Sequence, residues 1–207
     1  MENLDPKTTF LINVVGKELP FKGYNKNYRP VTAENPEGNL VISDKFATVR
    51  KTLEYVSNKR AFIDTVVIDD AQYLMANEFM RRAYETGYGK FTQIGEQMWS
   101  LLDLLPKLRE GLTVVFMFHE DADDTGKKKA KTIGRLLDDK ITVEGLFSIV
   151  LHARVIYDPT TDTRRHEFVT QSDGTNVAKT PKGMFETTSI PNDLQAVIAA
   201  TNEYYDE

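Results

Sequence analysis

Short apolar runs alternate with longer amphipathic ones along this chain. Thr8-Thr9-Phe10-Leu11-Ile12-Asn13-Val14-Val15 is β-branched and apolar, ends at Gly16, and predicts a buried strand. Residues 17–38 hold three prolines, several asparagines and three aromatic residues, the mark of an irregular excursion with room for a short hairpin. Asn39–Ile42 predicts a short strand. Asp44 then stands as an N-cap for a helix over 45–58, whose Phe46, Val49, Leu53 and Val56 recur at helical spacing. Thr65-Val66-Val67-Ile68 is a continuous apolar strand of the kind buried on both faces of a parallel sheet, and it ends in Asp69-Asp70.

Helices are predicted over 73–86 and 91–109, parted by Gly87 and Gly89, and a further buried strand over 113–118 leads to His119. The polar, charged segment 120–131 reads as a loop. Strands near 148–157 and 166–170 pair across the turn 158–162, and a helix over 192–204 follows. Alternating helices and buried strands predict an α/β fold with a mainly parallel sheet and antiparallel strands added at one edge. No repeat, low-complexity tract or long linker divides the 207 residues, so a single domain over 1–207 is expected.

Composition narrows the picture. Hydrophobic residues at 41% and charged residues at 28% suit a soluble globular chain, and a net charge of -5 argues against a wholly basic nucleic-acid coat. The absence of cysteine excludes disulfides, thiol nucleophiles and cysteine-ligated zinc, and fits a reducing cytoplasm. Residues 1–6 lack a signal-peptide pattern, and no apolar run reaches the ~20 residues that span a bilayer.

Four places carry candidate chemistry, each with a plainer alternative. Asp69 and Asp70 end an apolar strand, where open α/β sheets place their ligand crevice. There one acid would hold Mg²⁺ and the other polarise water, as in a Walker B strand; an acidic turn after a buried strand fits equally. His119 ends the neighbouring strand, the position of a γ-phosphate sensor or of a surface histidine entering a loop. Lys127, Lys128, Lys129 and Lys131 suit salt-sensitive contact with a single-stranded DNA backbone, or a solvated charged loop. This run is not a phosphate-binding loop, since Gly126 lacks a partner glycine five residues earlier. Lys179 and Lys182 flank a proline and read either as a basic turn or as cations offered to a neighbouring subunit's nucleotide. Trp99 reads as core or interface packing and His152 as a structural histidine.

The stretches Thr65–Arg82, Lys131–Leu151 and Phe168–Phe185 resemble phage-encoded RecA-like ATPases of the AAA kind, some of them single-strand annealing recombinases. The likeness runs from about Leu4 to Tyr204, and the run Asp-Asp-x-Gln-Tyr-Leu-Met-x-x-Glu-Phe is its most specific part. It implies a RecA-like P-loop core using ATP and Mg²⁺, with Asp69 and Asp70 as Walker B acids, Asp69 on the metal, His119 as sensor, and Lys127–Lys131 bordering the DNA-facing loop. Lys179 and Lys182 would act in trans. The resemblance also implies a Gly-Lys-Ser/Thr loop upstream of Asn3, so that a chain starting at Met1 lacks the first strand and that loop. It further implies an acid near Val15 to orient water; here Glu18 is the nearest.

One lost preorganised donor typically raises a barrier by ~3–4 kcal/mol, so hydrolysis by these residues alone is not expected. Three functions follow. The first is a shortened recombination ATPase homologue on single-stranded DNA, as a homo-oligomer or with a full-length paralogue. The second is a non-catalytic protein binding a paralogue or a host defence factor. The third is an active ATPase whose true start carries the loop. All three place it in the cytoplasm, that of the host if phage-encoded.

Overall fold

The computed structural model describes residues 1–134 and 136–206, with the side chains of Asp138 and Asp139 left aside. Arg135, inside one of the stretches quoted above, and Glu207 lie outside the described residues. The chain divides into two compact units: Glu2–His119 with Lys131–Thr142, and Met1 with Glu120–Ala130 and Val143–Glu207.

The first unit is built on four parallel strands, β1 (Thr9–Asn13), β2 (Leu40–Ile42), β3 (Thr65–Asp69) and β4 (Thr113–Phe116), in the spatial order β2-β1-β3-β4. Every residue of β1 and β3 is buried, as their unbroken apolar runs predict. Their register sets Asn13 beside Asp69, so the polar ends of the two inner strands coincide.

Helices α2 (Phe46–Lys59), α3 (Gln72–Arg81) and α4 (Gly89–Leu102) bury Val49, Leu53 and Val56, Leu74 and Met75, and Ile94 and Met98. Burying each such side chain contributes roughly 1.5–3 kcal/mol. Asp44 does not cap α2. Its carboxylate accepts from Arg81 at 2.7 Å and Asn77 at 3.0 Å, a charge-assisted alternative that outweighs an ordinary cap. The predicted helix over 91–109 breaks after Leu102 into a 3₁₀ turn, Leu105–Lys107, where Pro106 has no N–H to donate. Residues 17–38 hold no hairpin; the short helix α1 (Tyr24–Asn27) and the Phe21, Tyr24 and Tyr28 rings fill that span.

Residues 120–131 are not a loop throughout. They form an antiparallel pair, β5 (Glu120–Ala122) and β6 (Lys128–Ala130). Strands β7 (His152–Asp158), β8 (Thr163–Val169) and β9 (Ser189–Pro191) follow, paired antiparallel in that order, and α5 (Leu194–Asp206) buries Leu194, Val197 and Ile198. The hairpin across residues 158–162 is as expected. Its placement is not: among the described residues β7-β8-β9 is a sheet of its own rather than an extension of the parallel one. No helix of the described residues is long and apolar enough to cross a membrane.

Candidate functional site

At the C-terminal ends of β1, β3 and β4 a cluster of polar side chains closes over the sheet. Asp69 is the last residue of β3 and only 7% exposed. Among the described residues its Oδ2 is buried with no hydrogen-bond partner, as is Asp70 Oδ2. Burial first, and the neighbouring Asp70 charge second, push its carboxyl above the usual aspartate range, against the pull of Lys17 and His119.

Asp70 turns the chain in the left-handed region, φ 60°, a conformation that short polar side chains tolerate best among non-glycine residues. The turn is pinned on both sides: Ala71 N donates to Met117 O at 2.8 Å, and His119 N donates to the Gln72 side-chain oxygen at 3.2 Å. These bonds tie the end of β3 to the segment leaving β4. They bring His119 Nε2 to 3.1 Å from Asp70 Oδ1, with the Tyr73 ring edge-on to the imidazole.

Lys17 completes the cluster. Asn13 Oδ1 accepts from Gly16 N at 2.8 Å and its Nδ2 donates to Lys17 O at 2.6 Å, closing a turn at the end of β1. Gly16 sits at φ 77° in that turn, and a Cβ there would lie 3.0 Å from Ile42 Cγ2. The turn delivers Lys17 Nζ to 2.5 Å from Asp70 Oδ2, and this contact raises the lysine pKa. Asp70 Oδ2 lies 2.5 Å from Lys17 Nζ without the geometry of a hydrogen bond, so each acid keeps one buried oxygen unbonded among the described residues. What separates them is that Asp70 has Lys17 and His119 in contact and Asp69 has no such ion pair there. The two adjacent acids are thus made unequal by what surrounds them.

Mg²⁺ takes oxygen ligands, retains several waters, and is commonly held by one or two carboxylates plus substrate phosphates. An unmet carboxylate oxygen beside a second acid fits that requirement. A cage built wholly from protein does not arise, since no group of three or more His, Asp or Glu side chains suited to a metal occurs among the described residues. Asp69 would hold the ion, which would supply charge neutralisation to bound phosphates. Asp70, engaged by Lys17 and His119, is placed to orient those two groups.

Of the remaining sequence candidates, Lys127, Lys128, Lys129, Lys179 and Lys182 lie in the second unit and Lys131 in the first. Lys128 Nζ pairs with Glu120 at 2.9 Å, Lys129 stands opposite Asp121 in the β5–β6 register, and Lys127 N donates to the Asp123 carboxylate. The segment 120–131 carries Glu120, Asp121, Asp123 and Asp124 against Lys127, Lys128, Lys129 and Lys131, a formal charge of zero. Lys131 N donates to His119 O at 2.9 Å. Lys179 exchanges two backbone bonds with Val150 at 2.8 Å each, and Lys182 is exposed, its carbonyl accepting from the Tyr204 hydroxyl. His152 accepts or donates across 2.9 Å to Glu120, and Trp99 is 42% exposed.

Sequence reasoning passed over Lys17, Gln72 and Asn13. An asparagine at the end of a buried strand, three residues before a glycine and four before a lysine, was the available signal.

An all-parallel sheet flanked by helices, with buried acids at an inner strand's carboxyl end, is consistent with a P-loop NTPase-like fold. A family profile described as an AAA domain matches residues 27–181, more than half of the chain, and the chain belongs to that family. AAA-family ATPases generally use ATP and Mg²⁺, which agrees in kind with the acids of β3. No curated protein matches the chain in sequence.

Proposed function

We propose that this chain supplies the magnesium-holding acids of a RecA-like recombination ATPase acting on single-stranded DNA, and that these 207 residues do not hydrolyse ATP unaided. The observation that carries the nucleotide part is the buried Asp69 oxygen at the end of β3, which has neither a hydrogen bond nor an ion pair among the described residues. A carboxylate kept dry and unmet costs stability unless a ligand compensates it. The sequence contains no G-x-x-x-x-G-K-[ST] loop, so the backbone cradle and lysine that grip a triphosphate are not among these residues.

Support for the DNA part is the resemblance of the quoted stretches together with the lysine run. The acids facing that run reduce its pull on a phosphate backbone.

Amide NMR titration tests the nucleotide part. Mg²⁺ is expected to shift Asp69, Asp70 and His119 in the millimolar range, an effect lost in Asp69→Asn, with no phosphate released from ATP. Turnover of ATP by the purified chain, or Mg²⁺ shifts unaltered in Asp69→Asn, contradicts the proposal.

A further inference from the structure

The antiparallel sheet of the second unit has two unlike edges. One is β9, three residues ending in Pro191, a short edge whose proline offers no N–H to a newcomer. The other is β7, seven residues long, H-A-R-V-I-Y-D, without proline, lysine or glycine. Among the described residues β7 pairs only with β8. Val155 and Tyr157 are each 53% exposed. A long edge strand without proline, lysine or a bulge-forming glycine presents a row of N–H and C=O groups that templates another strand whose charges complement its Arg154 and Asp158.

We propose that β7 is a self-association edge, pairing antiparallel with β7 of a second copy of this chain about a two-fold axis at Ile156. In that register Arg154 stands opposite the second copy's Asp158, Val155 opposite its Tyr157, and Ile156 opposite its Ile156. Two-fold symmetry forms each unlike pair twice. Opposite charges and aromatic–β-branched pairs are the favourable cross-strand combinations.

The charges select this register over its neighbours. Centring on Val155 sets Arg154 against Ile156, and centring on Arg154 sets two guanidinium groups face to face. Arg154 donates to Glu167 on β8 through Nε and Nη2 at 3.3 and 3.2 Å, so it is the other hydrogens of its five-donor guanidinium that would meet the second copy's Asp158. Asp158 is exposed and, among the described residues, is engaged by its own turn, accepting from Thr160 N at 2.8 Å with Thr161 beside it. A second copy carries the matching sequence by symmetry, whereas a foreign strand would have to carry it independently. Five paired residues per copy bury well under the ~1,600 Å² of a standard interface, so the dimer is weak and depends on concentration. This pairing does not rest on nucleotide or magnesium binding.

The absence of cysteine makes the test direct. Ile156→Cys is expected to yield a disulfide-linked dimer on mild oxidation, because directly opposed residues lie about 4.5–5.5 Å apart between Cα atoms, within disulfide reach. Val155→Cys is expected to give no disulfide-linked dimer, since its counterpart is displaced by two positions, beyond the ~7 Å that a disulfide spans. In sedimentation runs from low-micromolar to submillimolar concentration, Asp158→Lys is expected to weaken association at least tenfold, with an unchanged circular dichroism spectrum. Equal cross-linking at positions 155 and 156 overturns the proposal, as do a monomer at every concentration and dimerisation indifferent to Asp158→Lys. Association only with a different protein overturns it too.

Discussion

The acids closing β3 and the lysines of the β5–β6 hairpin are both dense charge clusters in the sequence, and they fold into opposite circumstances. Asp69 and Asp70 are drawn below the surface at the end of a fully buried strand, and each keeps a buried oxygen without a hydrogen bond among the described residues. Lys128 and Lys129 stay near solvent on the three-residue strand β6, opposed by the acids of β5. Burial without a partner points to a ligand, because the folded state carries a cost that only binding offsets. Exposure with a partner points to solvation, since surface ion pairs contribute little and attract little from a distance. Charge density in a sequence does not separate these cases; the strand that carries the charge does.

The widest gap between the two regions should appear in unfolding free energy. Ile68→Ala, which empties a fully buried position next to Asp69, is expected to cost about 2–5 kcal/mol in urea denaturation. Lys128→Ala in the hairpin is expected to cost no more than about 1 kcal/mol by the same measurement. Similar losses at both positions would erase the contrast between a buried and a surface cluster.

Lys17→Ala sharpens it at the next scale. Removing this half-exposed ammonium leaves buried Asp70 with His119 as its remaining neighbour of that kind, an expected loss of about 1–2 kcal/mol at neutral pH, towards the lower end because solvent screens the pair. Because the folded state raises the lysine pKa, this contribution is present below the ordinary lysine pKa and fades as pH rises through the raised one. The stability difference between wild type and Lys17→Ala should therefore shrink only in strongly alkaline solution.

Asp69→Asn is expected to act in the other direction, gaining up to about 1 kcal/mol at neutral pH in thermal denaturation while abolishing the Mg²⁺ response. The sign follows from the raised carboxyl pKa. Its stabilising contribution is full below the unfolded aspartate value and is lost as pH rises through the folded one, so an ionised Asp69 at neutral pH burdens the fold. The gain should vanish in acid.

Smallest is the effect expected of the hairpin lysines on single-stranded DNA. Each phosphate contact contributes about 0.7 to the slope of log affinity against log salt for a single strand. With Lys128 held by Glu120 and Lys129 opposite Asp121, the variant Lys127→Ala/Lys128→Ala/Lys129→Ala should lower that slope by about one contact's worth rather than three. A fall of three would show that the acids yield their lysines to DNA.

What was legible in the sequence tracks how far a segment buries apolar side chains. β1 and β3 were readable because both faces are covered and the apolar run is unbroken, and the α2 stripe of Val49, Leu53 and Val56 set its inner face. The β5–β6 pair was not, because E-D-A and K-K-A show no alternation; acids and lysines across the turn hold them instead. Asp44 misled for a related reason: a distant arginine thirty-seven positions along offered more than the nearby helix end. At the acids, strand end and residue type were visible together. The inequality between Asp69 and Asp70 was not, because it depends on a lysine delivered by a turn at the end of another strand.

The titration of the Asp69 carboxyl carbon, followed by NMR with and without Mg²⁺, tests the central claim most directly. An elevated pKa in the free chain that drops when Mg²⁺ is added is the result expected of a buried acid awaiting a cation. An Asp69 that titrates as an ordinary aspartate, and does so identically in the presence of the metal, would contradict it.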